Sequence, residues 1–236
     1  MKAAILLLTL SLASQSIADE ASAIATLEQS VKSPSNLRVN KNDDGQVIGI
    51  RVNAPGISNE ELDLFNELPH LETLTISHAG YGPEGKTGVD FSGVSQLSEH
   101  PSLRYFSAGG AVGKEYLAAL AELTNVPELY VQTTNSVDAD WAPIGTMKHL
   151  TYLGIRVRNN RMNSLTSGFL EHLMPLENLE RFLLSEMTFE DAAPFVKFVT
   201  SRPNLSELTI RRCELSDSAL SEIRAAKPDL EIVIKD

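Results

Sequence analysis

The chain has 236 residues, with 31 acidic against 20 basic side chains, a formal net charge of −11 and a single cysteine, Cys213. A surface this acidic repels phosphate backbones, and no basic run offsets it, so a nucleic-acid partner is not expected. One cysteine forms no internal disulfide, so stability has to come from a buried hydrophobic core.

Residues 1–18 have the pattern of a signal peptide: Lys2 is a basic start, Ala3 to Leu12 an apolar run, and Ser16-Ile17-Ala18 a small-x-small cleavage site. Cleavage near Ala18 removes Lys2 and no acidic residue, moving the formal charge from −11 to −12, and predicts a periplasmic or secreted protein. A lipid anchor would need a cysteine just after that site, and none is there. No stretch approaches the roughly 20 apolar residues of a membrane-spanning helix, so no membrane span is expected.

Residues 19–45 read as an N-terminal cap. Glu20 to Lys32 has the spacing of a helix using Ile24, Leu27 and Val31, and Leu37 to Lys41 alternates as a strand. Asn42-Asp43-Asp44-Gly45 then turns the chain back into Gln46 to Asn53, a hairpin. The turn has some of the spacing of a calcium loop, but Arg51 stands where a bidentate Glu is needed, so a tight turn is the expectation.

Residues 46–236 are periodic. An apolar-x-x-apolar-x-apolar phrase recurs as Val47/Ile50/Val52, Leu71/Leu74/Ile76, Leu103/Phe106/Ala108, Val126/Leu129/Val131, Leu150/Leu153/Ile155, Leu179/Phe182/Leu184 and Leu205/Leu208/Ile210. A reduced last copy, Leu230/Val233, closes the series, and successive copies start 24, 32, 23, 24, 29, 26 and 25 residues apart. That is one period with two insertions. Amphipathic stretches with apolar residues three or four apart lie between the copies: Asn59 to Leu68, Lys114 to Leu123, Ser167 to Met174, Asp191 to Ser201 and Asp217 to Lys227. Ser58 with Glu61 predicts a capping box, and Thr188 with Asp191 a similar start. Strand then helix, repeated every two dozen residues, is a βα solenoid, an α/β fold.

The copy from Leu205 to Leu220, with Cys213 three residues after Ile210, resembles the leucine-rich-repeat family and its cysteine-containing subtype. The resemblance covers roughly residues 45–236 and implies a curved horseshoe of about eight repeats, with a parallel sheet on the concave face and helices on the convex one. The Cys213 slot holds Pro55, Ala79, Ala111, Thr134, Arg158 and Met187 in the other copies, so the family's buried polar ladder is expected to be largely missing. Leu230 to Ile234 is expected as a final strand, with the charges of Lys235-Asp236 discouraging edge-to-edge pairing.

Residues alternating with the apolar phrase face out on the concave sheet. They place Tyr105, Tyr130 and Tyr152 on three successive strands, followed by Arg156, Arg181 and Arg211. Tyrosine and arginine dominate protein-binding hot spots, since each joins a large apolar body to a directional polar end. These six residues are the candidate site for a protein or peptide, with a glycan as the alternative ligand. The insertions at 78–90 and 156–167 both leave the sheet after a strand, where recognition loops sit. The second carries Arg156, Arg158 and Arg161, a local basic patch.

Gly80 to Thr87 in the first insertion matches the phosphate-binding GxxxxGK[ST] pattern around Lys86. A working phosphate loop also needs a helix starting at Lys86-Thr87 and a strand ending in a metal-binding Asp. Gly88 and Gly93 oppose the first, and no such strand is evident. A nucleotide-binding enzyme is thus the minor reading. No His/Cys cluster with zinc spacing and no nucleophile-base arrangement is present, so neither a catalytic residue, a metal nor a cofactor is expected. Cys213 is expected to be a buried, inert thiol.

Overall fold

The computed structural model describes residues 20–31, 33–53, 57–79, 93–134, 136–158 and 165–235. Nine strands form one open sheet in strict chain order. They are β1 (Leu37–Lys41), β2 (Val47–Asn53), β3 (Thr73–Ala79), β4 (Tyr105–Val112), β5 (Glu128–Thr133), β6 (Tyr152–Val157), β7 (Arg181–Ser185), β8 (Glu207–Arg211) and β9 (Glu231–Lys235). β1 and β2 pair antiparallel, and every later pair is parallel. A parallel neighbour requires a crossover, and the described helices and 3-10 turns of successive crossovers pack against one another in chain order.

The register follows the apolar phrase. Ile50, Leu74, Phe106, Leu129, Leu153, Phe182 and Leu208 stand in one row across the sheet, and Val52, Ile76, Ala108, Val131, Ile155, Leu184 and Ile210 in a second. All fourteen are buried. A slip of one residue would turn both rows to solvent, and for that reason the register is strongly specified.

The crossovers use two kinds of helix. Ala- and Leu-rich or apolar stretches form α-helices: α2 (Lys114–Leu120), α3 (Phe169–His172), α4 (Ala193–Thr200) and α5 (Asp217–Ala226), with α1 at 20–30 ahead of the sheet. 3-10 turns form instead at Asn59–Glu67, Val94–Glu99, Asp138–Trp141 and Ile144–Thr146. This corrects the expected helix at Asn59 to Leu68. Asn59, Asp63 and Asn66 bring side chains that compete for backbone hydrogen bonds, so the tighter coil wins there. The predicted capping box is present: Ser58 N–H and Oγ–H both donate to Glu61 Oε2, at 2.7 and 2.6 Å. Thr188 instead lies in a bridge with Glu214, and Asp191 Oδ1 accepts from Ala193 N–H at 2.8 Å.

α1 buries Ala23 and Leu27, and Val31 just after it is buried too, whereas Ile24 is only half-buried. Leu27 and Val31 are thus buried as expected, and Ala23 takes the place of Ile24. In the β1–β2 turn, Asn42 Oδ1 accepts from Asp44 N–H and Gln46 N–H at 3.1 and 3.0 Å, and Gly45 has φ +80°. The side chain that a calcium site would use is therefore closing the turn, and no group of three metal-ligating side chains occurs among the described residues.

The polar ladder is relocated. At the strand-exit edge two slots retain it: Thr134 Oγ1–H donates to Gly110 O at 2.9 Å, and the half-buried Cys213 thiol to Leu184 O at 3.5 Å. At the strand-start edge it is fuller. His100 Nε2 bonds Leu68 O, Asn178 donates to Lys148 O, Asn204 to Glu177 O and Arg202 to Met174 O, each one repeat back. The His100 bond is buried and the Arg202 bond partly so, and there the donor satisfies a carbonyl shielded from water.

Candidate functional site

Three rows of side chains alternate with the core rows and form the concave face. Thr73, Tyr105, Glu128, Tyr152, Arg181 and Glu207 make the first, Arg51, Thr75, Ser107, Tyr130, Gly154 and Thr209 belong to the second, and Gln132, Arg156, Ser185 and Arg211 to the third. Ser107, Ser185 and Thr209 are buried despite facing this way. The larger side chains beside them lie over the sheet.

The three tyrosines sit on successive strands β4, β5 and β6, yet in two rows. Tyr105 and Tyr152 flank Glu128 in the first row and stack with ring centroids 6.3 Å apart. The Arg181 guanidinium lies 4.9 Å from the Tyr152 ring centroid and binds Glu128 Oε1 at 2.8 Å. Tyr130 in the second row leans over Gly154, where a Cβ would come within 2.5 Å of Tyr130 Cδ2 and 2.6 Å of the Tyr152 hydroxyl oxygen. Gly154 is thus the floor on which both rings rest. Burial raises the pKa of all three phenols, so they remain hydrogen-bond donors across the physiological range.

The arginines are held in pairs. Arg156 bonds Glu186 Oε1 at 2.7 Å and Gln132 Oε1 at 3.2 Å, and Arg212 reaches the same Glu186 oxygen at 3.4 Å. The Arg156 hydrogen bond holds the Glu186 carboxyl below its usual range. Glu186 and Arg212 have φ of +61° and +50°, uncommon for residues with a Cβ. Each is fixed by a backbone bond to the next strand, Glu186 N–H to Arg211 O and Arg212 N–H to Lys235 O, both 2.9 Å. Sequence reasoning missed Glu186. Its signal was a lone carboxylate just past a strand, with Arg156 and Arg212 at the exits of the two neighbouring strands.

A concavity of ≈ 630 Å³ occupies the N-terminal half of this face. It is lined by Asn40, Arg51, the hydroxyls of Thr73, Thr75, Ser77 and Ser107, Tyr105, Tyr130, Gln132, Arg156 and Arg158, and among the described residues no Asp or Glu lines it. Of the candidate residues, Tyr105, Tyr130, Arg156 and Arg158 therefore share one cavity. Tyr152 and Arg181 form its stacked border, and Arg211 is exposed farther along, on β8. Arg161, Lys86 and the whole phosphate-loop motif lie outside the described residues. No helix among the described residues is long and apolar enough to cross a membrane.

No family model matches the sequence, and no curated protein matches it either. Solved structures do match. An internalin C2 from Listeria monocytogenes is 18% identical, with 88% of this chain and 92% of that chain covered and a TM-score of 0.46. An internalin, InlF, from the same organism is 16% identical, covering 73% of this chain and 56% of that one at a TM-score of 0.37. TLR13 in its complex with ssRNA13 is 15% identical, covering 76% and 28% at 0.42. On its own geometry, with seven parallel strand pairs in chain order and two continuous apolar core rows, the chain has a leucine-rich-repeat solenoid fold.

Proposed function

We propose that the protein is a non-catalytic binding module that acts outside the cytoplasm and takes a protein or peptide along its concave face. The observation that carries this reading is the ≈ 630 Å³ concavity, which on a chain of net charge −11 is lined by three arginines, a row of hydroxyls and two tyrosines and, among the described residues, by no carboxylate. Such a surface offers donors to backbone carbonyls and to acidic side chains. Arg38 and Arg51 stand directly opposite each other on β1 and β2, both exposed. Like charges in that position repel, and a carboxylate on the ligand would relieve them. A peptide is favoured over a glycan because Tyr152 already has Tyr105 on one side and Arg181 on the other, leaving its ring little free face for a sugar. Export through the segment at 1–18 is part of the same proposal, as is the cysteine-containing subtype.

The test compares capture of a partner from native envelope or secretome extract by wild type, by Arg51→Ala, by a Tyr105→Ala/Tyr130→Ala double variant and by the convex-face variant Glu222→Ala, all checked for folding. A protein or peptide held by wild type and Glu222→Ala, and lost at least tenfold by the other two, is the expected result. Equal recovery by all four would remove the concave face from the reading.

A further inference from the structure

We propose that β9 is a self-association edge, through which two copies of this chain pair antiparallel about a twofold axis at Val233. The alternation of backbone groups along β9 sets up the argument. Glu231 N–H donates to Ser206 O and Lys235 O accepts from Arg212 N–H, both at 2.9 Å, so residues 231, 233 and 235 turn their polar backbone groups toward β8. Ile232 and Ile234 then turn theirs outward, where no described strand pairs with them. Ile234 is 52% exposed, one of two large hydrophobic residues so exposed among the described residues, and Ile232 is only partly covered.

A second copy answers each of these groups. In an antiparallel pair the residues with outward backbone groups must stand opposite one another. Placing Ile232 opposite Ile234 of the copy does this, and the twofold repeats it, giving four backbone hydrogen bonds. The same register sets Glu231 opposite Lys235 of the copy, twice, and Val233 opposite itself. Sliding by one hydrogen-bonded step either way sets Glu231 or Lys235 opposite Val233 and leaves the charges unmatched. Directly opposed Glu and Lys are a favourable cross-strand pair. The lysine expected to discourage edge pairing thus discourages every register except one. On the core side, Ile232 and Ile234 prolong the two apolar rows ending in Leu208 and Ile210 into the rows of the copy. The concave rows continue across the axis as well, so the dimer presents one uninterrupted binding face of twice the length.

The test is sedimentation equilibrium of the purified protein and its charge variants at low salt, over concentrations up to the millimolar range. Wild type is expected to pass reversibly from monomer to dimer. Glu231→Lys alone and Lys235→Glu alone each set like charges opposite one another, and each should weaken dimerisation at least tenfold. Mixing those two variants should restore association as a heterodimer, and so should combining both changes in one chain. Ile234→Pro, which removes an outward donor and leaves the β8 bonds in place, should abolish it. In a Cys213→Ser background, Val233→Cys should form an intermolecular disulfide under oxidation, whereas Glu231→Cys should do so only when mixed with Lys235→Cys. A wild type that stays monomeric throughout overturns the proposal. A dimer indifferent to the charge exchange does so too, and neither result bears on ligand capture by the concave face.

Discussion

His100 shows how much one side chain fixes in a solenoid. It is 6% exposed, and its Nδ1 accepts from Ser102 N–H and Leu103 N–H at 3.2 and 3.1 Å. That leaves the proton on Nε2, which donates to Leu68 O in the preceding repeat at 3.1 Å. Burial lowers the pKa from the ordinary 6.5, because the charged ring loses water and a proton on Nδ1 would displace two donors. The folded value being the lower one, this contribution to stability is fully present above pH 6.5 and is lost as pH falls through the folded value. Urea unfolding should show it. His100→Ala should cost about 1–3 kcal/mol at pH 8 by orphaning these groups, and its stability should fall less than that of wild type between pH 6.5 and 5. Parallel pH profiles for the two proteins would contradict the assignment.

At the scale of elements, helix type and helix approach are separate questions. Composition bears on the first: KEYLAAL at α2 forms an α-helix, and the neighbouring stretch at 138–146, with two Asp, a Pro and a Gly, forms two 3-10 turns. Only packing decides the second. A Cβ on Gly145 would sit 2.0 Å from His172 O, on the α3 backbone of the next repeat, so this glycine is there for close approach and not for an unusual φ. Gly145→Ala should therefore push α3 away and lower stability by about 1–3 kcal/mol, visible as a drop in Tm, even though alanine is the better residue for a helix. An unchanged or raised Tm would mean that the contact yields without cost.

The described residues share one continuous core, but its contacts run between neighbouring elements. Each repeat buries its rows against its two neighbours, from Leu27 of α1 at one end to Ile210 of β8 near the other. Stability is then close to a sum over repeats and their interfaces. A cavity in the middle should divide the array: Leu153→Ala, at a fully buried position on β6, should cost about 2–5 kcal/mol. Hydrogen exchange should report the loss on both sides of β6, and protection lost only within β6 and its immediate neighbours would show that the repeats couple less than this.

The sequence alone was sufficient for the strand positions and their register. Each of those depends on which residues are apolar and how far apart they lie, and a row of eight copies constrains the spacing far more than one copy does. It also placed Tyr105, Tyr130 and Tyr152 on the concave side, because alternation along a strand follows from the backbone. What it could not contain was how those side chains settle among one another. The stack of Tyr105 on Tyr152, the hold of Glu128 on Arg181 and of Glu186 on Arg156 and Arg212, and the packing of Tyr130 over Gly154 join residues 24 to 53 positions apart. The same holds for the polar ladder, which moved to the turns before the strands once the consensus slot was lost. Such contacts are set by the distance between neighbouring strands and by which side chain fills the space another leaves, and these exist only after the repeats have stacked.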